Sequence, residues 1–120
     1  MLKPLALLAL ALPLVAAKSD PLAGRVAGPP QNCVSLSQTN GPSIIDEHTI
    51  LYTEGAGRRI WKTGPVGACP SLAPLNTLIV DVYGGQLCRN DRFRVLTPGT
   101  TIPSAYCRFT QFTPYTKAAK

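Results

Sequence analysis

The chain predicts a mainly β domain, a small disulfide-stapled barrel or compact sandwich of five to six short antiparallel strands. Three observations lead there. Twelve Pro and ten Gly punctuate 120 residues, and beyond residue 30 no stretch free of both exceeds 12 residues. Ordinary helices have little room in such a chain. The intervals are rich in Ile, Val, Thr, Tyr and Phe, the residues that suit a pleated surface. Charged residues are 15% and hydrophobic residues 45%, which excludes a disordered chain, and the length suits one domain.

The elements follow from the N-terminus. Lys3 and the apolar run Leu5–Val15, broken only by Pro13 and followed by Ala16-Ala17, have the layout of a secretory signal peptide (residues 1–17). The run is too short to span roughly 30 Å of hydrocarbon. Cleavage after Ala17 leaves no Cys at the new terminus for a lipid anchor. Export to a periplasmic or secreted location is the expectation, with no transmembrane segment after cleavage. Residues 18–30 (KSDPLAGRVAGPP) read as a flexible Pro/Gly/Ala tether, and the β domain is placed at 31–120.

Within it, Ile44-Ile45, the polar turn Asp46-Glu47-His48 and Thr49–Thr53 form a strand, turn and strand. Gly55-Ala56-Gly57 turns the chain into Arg59–Thr63. Leu78–Tyr83 sets Leu78 and Val80 on one face and Ile79 and Asp81 on the other, before a Gly84-Gly85 turn. In Arg92–Leu96, Phe93 and Val95 point inward and Arg92 and Arg94 outward. Tyr106–Thr113 closes the domain with Cys107 and Phe109 on one face. Residues 64–77 and 97–105 are loops, the first with room for a helical turn at 71–77.

Cys33, Cys69, Cys88 and Cys107 are an even set in an exported small domain, which oxidising compartments convert into disulfides. With no Cys-x-x-Cys and a single His, neither a zinc ribbon nor a redox pair is supported, and no metal or cofactor is expected. Sequence cannot choose among the three pairings. The nested pattern, Cys69–Cys88 with Cys33–Cys107, is the expectation: one bond staples loops around a strand and the other ties the domain's start to its last strand.

The contexts Asn32-Cys33-Val34-Ser35-Leu36, Ile45-Asp46-Glu47-His48-Thr49-Ile50-Leu51, Cys69-Pro70-Ser71-Leu72, Leu87-Cys88-Arg89-Asn90-Asp91 and Cys107-Arg108-Phe109 follow one order over residues 31–115. That order resembles a family of small exported bacterial four-cysteine proteins described as a domain of unknown function. The resemblance implies a bacterial periplasmic or secreted location and a small β domain, and assigns no catalytic or binding residue. Asp91 matches the family pattern after the third Cys, whereas Gly64–Ala68 lacks the basic residues expected before the second.

Charge points to a surface. After removal of residues 1–17, eleven cations face six anions, a net +5. Residues 82–120 hold six cations against Asp91 alone, also +5. Arg89, Arg92, Arg94 and Arg108 form the candidate anion-facing patch for an acidic envelope component or another protein. The plainer reading is a solvated face that maintains solubility. Export disfavours nucleic acid as the partner.

Signals for turnover are sparse. An imidazole titrates near neutral pH, so His48 with Glu54 would be the set for a small secreted hydrolase such as a ribonuclease. The position of Asp-Glu-His in a tight turn explains those residues without catalysis. Trp61 beside Arg59 could anchor a ligand or cap a small core. Asp81 and Asp91 could pair for glycoside chemistry, but an ion pair of Asp81 with Arg92 or Arg94 is the simpler role. Ser35, Ser37, Ser71 and Ser104 lack a nucleophile context. A non-enzymatic envelope binding or accessory module is therefore the leading expectation, with the hydrolase and a periplasmic protein inhibitor as alternatives.

Overall fold

A computed structural model describes residues 20–118, all strand, turn and loop; the expected signal peptide lies outside the described residues. Ten strands follow in chain order: β1 Arg25–Ala27, β2 Cys33–Ser35, β3 Thr39–Asp46, β4 Thr49–Glu54, β5 Arg59–Thr63, β6 Thr77–Val80, β7 Gln86–Cys88, β8 Arg92–Leu96, β9 Cys107–Arg108 and β10 Thr113–Lys117. They form three antiparallel sheets, ordered β1-β10-β5-β4-β3, β2-β7 and β6-β8-β9. The sheets do not close into a barrel; a compact sandwich describes them, with more and shorter strands than the sequence suggests.

The five-stranded sheet grows from two hairpins. Asp46 and Thr49 flank the β3–β4 turn, and Glu54 faces Arg59 across the β4–β5 turn. Alternation then places Ile50, Tyr52, Trp61 and Ile44 on one face. Opposite them lie Val34 and Leu87 from β2 and β7, and Phe93 and Val95 from β8. Leu72, Phe109 and Phe112, all fully buried, fill the space between from the connecting segments.

Segment 109–112 ties the layers together. The Phe109 and Asn90 backbones bond, as do Thr110 with Gly64 and Phe112 with Gln31. Its two rings continue a contact path, Phe93 to Phe109 at 4.4 Å, Phe109 to Phe112 at 5.8 Å and Phe112 to Tyr52 at 6.5 Å between centroids. Burial pushes the Tyr52 phenol pKa well above its ordinary value, since the phenolate would be desolvated.

The tether reading of 18–30 needs correction at its centre. Residues 25–27 pair with β10, and the Arg25 guanidinium donates to the Gly57 carbonyl at 2.7 Å. A three-residue strand has no periodicity to display, so its partner reveals it. That partner, β10, lies in mid-sheet despite Pro114. The Pro114 carbonyl accepts from Gly28 N–H at 2.7 Å, but proline cannot return the bond, and the β1 ladder ends there.

The disulfides are interleaved, not nested: Cys33–Cys88 and Cys69–Cys107. β2 pairs with β7 in a register that sets Cys33 directly opposite Cys88, with Cα atoms 4.0 Å apart. Cys107 faces Phe93 across β8–β9, on the core side, where the buried Cys69 loop arrives. The nested expectation failed because it assumed that Cys88 is stapled to the nearest loop, whereas strand pairing brings it to the start of the domain. Loops of 55 and 38 residues are each closed by a bond worth about 4 kcal/mol on the chain-entropy model.

Peptide mapping without reduction should recover the Cys33–Cys88 and Cys69–Cys107 pairs; Cys69 joined to Cys88 would contradict this strand pairing. Phe109→Ala, which empties the centre of the aromatic path, should cost about 3–5 kcal/mol in urea denaturation.

Candidate functional site

The face of β6-β8-β9 turned away from the core is the one built by arginines. Phe93 and Val95 are buried, so Arg92 and Arg94 must take the other side of β8. Arg92 stands opposite Arg108 on β9, and Ile79 opposite Arg94 on β6. Because Cys107 points inward to its disulfide, its neighbours Tyr106 and Arg108 also face outward. The result is a cluster with an aromatic centre: the Arg92 and Arg94 guanidinium carbons lie 4.6 and 5.0 Å from the Tyr106 ring centroid.

Each guanidinium is attracted by the ring quadrupole, which offsets part of the repulsion between two like charges brought near one ring. Among the described residues Asp81 is the one counter-charge, its carboxylate 4.0 Å from Arg92 and partly exposed, which makes the pair weak. This is the strand-face partner that the sequence suggests. The Arg94 Nε is buried and without a hydrogen-bond partner, an unspent donor beneath the patch. Tyr106 itself is half exposed. It escaped sequence reading, although the alternation that turns Cys107 and Phe109 inward turns Tyr106 and Arg108 outward by the same rule.

Arg89 is set apart from these three. It sits in the β7–β8 turn, where its N–H donates to the Asn32 carbonyl at 2.6 Å, and it lines an open depression of about 320 Å³ with Val66, Asn90 and Phe109. The turn is fixed locally. The Asp91 carboxylate accepts from Cys88 N–H at 2.7 Å, and Asn90 adopts the left-handed conformation at φ 71°. Asp91 is thus engaged in shaping the turn, and Asp81 in pairing with Arg92.

The residues of the hydrolase alternative are not brought together. His48 is exposed at the β3–β4 turn, while Glu54 ends β4 six residues later, roughly 20 Å away along an extended strand. Glu54 is buried and faces Arg59 at 3.4 Å and Arg58 at 4.0 Å. Trp61 is buried in the core under the Arg59 guanidinium, 5.4 Å from its ring centroid. Among the described residues no group of three or more His, Cys, Asp or Glu could hold a metal ion. A cavity of about 410 Å³ between β3 and residues 74–78 has no titratable residue in its lining.

No helix among the described residues is long and apolar enough to cross a membrane. The two disulfides fit an oxidising, extracellular-type compartment. No family model, curated protein or solved structure matches the chain.

The Asp46-Glu47-His48 turn is held by the Asp46 carboxylate, which accepts from His48 N–H at 2.8 Å. That bond holds the Asp46 pKa below its ordinary 3.8. A depressed carboxylate stabilises the fold above the unfolded value, and the contribution is lost as pH falls from about 3.8 through the folded value. The stability gap between the wild type and Asp46→Asn, measured by urea midpoints across a pH series, should therefore narrow in that window.

Proposed function

We propose that this protein is an exported, non-enzymatic binding or accessory module of the bacterial envelope, periplasmic or secreted, that docks an acidic partner on its arginine face. One observation carries the reading: Arg92 and Arg94 converge on the half-exposed ring of Tyr106, with Asp81 as a weak counter-charge and no other among the described residues. Stacked guanidinium groups are pre-organised donors that suit carboxylate or phosphate groups of a partner. Arg108 extends the face across β9, and Arg89 stands at the adjacent turn. The resemblance of the cysteine contexts to small exported bacterial proteins supports the compartment, as does the leader-like N-terminus.

Position, and not net charge alone, is the content of the proposal. Arg92→Ser/Arg94→Ser should weaken binding to immobilised heparin, a generic polyanion, by about tenfold, on the scale of about 1.4 kcal/mol. Arg58→Ser/Lys117→Ser removes the same charge elsewhere and should change it less than about twofold. Equal losses in the two double variants, read by surface plasmon resonance, would reduce the face to ordinary surface charge.

A further inference from the structure

A second cationic feature lies on the opposite face of the five-stranded sheet, and it does not depend on the arginine face. Lys62 on β5 stands directly across from Thr113 on β10, and Tyr115 lies two residues further along the same face. Together with His48 and Gln111 they line an open cavity of about 290 Å³. Its lining contains no carboxylate. Lys62 is half-buried, and among the described residues no carboxylate oxygen lies within 4.0 Å of it. The acids nearest in sequence to His48 are Asp46, whose carboxylate is engaged by the His48 N–H, and the exposed Glu47.

The cavity owes its shape to Gly64. A Cβ at that position would overlap the His48 carbonyl, so only glycine lets the β3–β4 turn pack against the end of β5. This close approach brings His48 to the same cavity as Lys62, fourteen positions away in the chain. Gln111 is fixed from the other side, its amide nitrogen donating to Asn32 Oδ1 at 3.2 Å. A half-buried lysine beside an imidazole, a phenol and an amide has the donors to take an oxyanion, and the lining holds no carboxylate to repel one.

We infer that this cavity is an oxyanion-binding site, taking the phosphate or carboxylate group of a small ligand on Lys62 and His48. The test is a pair of NMR titrations of the ¹⁵N-labelled, disulfide-bonded chain at constant ionic strength, one with inorganic phosphate and one with glucuronate. Saturable shifts at the His48, Gly64 and Gln111 amides are expected in at least one arm, and the arm that saturates identifies the anion. Lys62→Gln and His48→Ala should each weaken that binding about tenfold or more, a loss of the size that one charge-assisted contact supplies. His48 is at an exposed turn, so it decides the matter if the Lys62 variant fails to fold. Arg92→Ser/Arg94→Ser should leave the titration unchanged, which separates this site from the arginine face. Absence of saturation in both arms, or unchanged affinity in the folded variants, would overturn the inference.

Discussion

The fold depends on a four-residue crossing, Phe109 to Phe112, that belongs to no strand of its own. A sandwich of short strands has little hydrogen bonding to hold one layer on another, so apolar contact across the gap must do it. Phe109 touches Phe93 of the small sheet and Phe112 touches Tyr52 of the large one. The same residues have their backbone groups satisfied by three separate parts of the chain, near residues 31, 64 and 90. Side chain and backbone thus converge on one segment, and each of the three sheets is positioned relative to it.

The disulfides complement this arrangement at its weakest places. β2 and β7 form a two-stranded sheet of three residues each, too small to persist alone, and Cys33–Cys88 links them at a directly opposed pair. β9 has only two residues, and Cys69–Cys107 anchors it to the long loop after β5. The arginine face inherits its geometry from that anchor. With Cys107 fixed inward, Tyr106 and Arg108 have no choice but the outer side, and Tyr106 then meets the two arginines of β8.

Much of this was legible in the sequence wherever alternation was strong. Phe93 and Val95 declare the inner face of β8, and the Asp46-Glu47-His48 and Gly55–Gly57 turns delimit β4 on both sides. Elements whose cause is a distant partner were not legible. β1 and β2 are too short to show a period, and β10 contains a proline that sequence rules assign away from mid-sheet. Only the truncated β1 ladder explains why Pro114 is tolerated. Disulfide pairing was hidden for a related reason: it follows from which strand lies beside β7, a non-local fact. Of the candidate site, the arginines were legible and their aromatic centre was not, because Tyr106 lies just before a two-residue strand.

Being outward-facing does not by itself distinguish a functional arginine, since the core compels it. What distinguishes the cations here is how their charge is met. Arg59 and Arg58 flank the buried Glu54, and Arg25 donates to backbone carbonyls of Gly57 and Tyr115; those cations are spent on the fold. Arg92 and Arg94 rest on a half-exposed ring with one distant carboxylate, and Lys62 lines a cavity whose walls carry none. Holding cations close together without matching anions costs free energy in a domain whose total stability is small. A fold that needed only solubility could scatter the same charges at no such cost. Two arginines around one ring with a single weak counter-charge, and on the other side of the sandwich a lysine in a cavity lined by no carboxylate, are the physical ground for reading both as surfaces for anions.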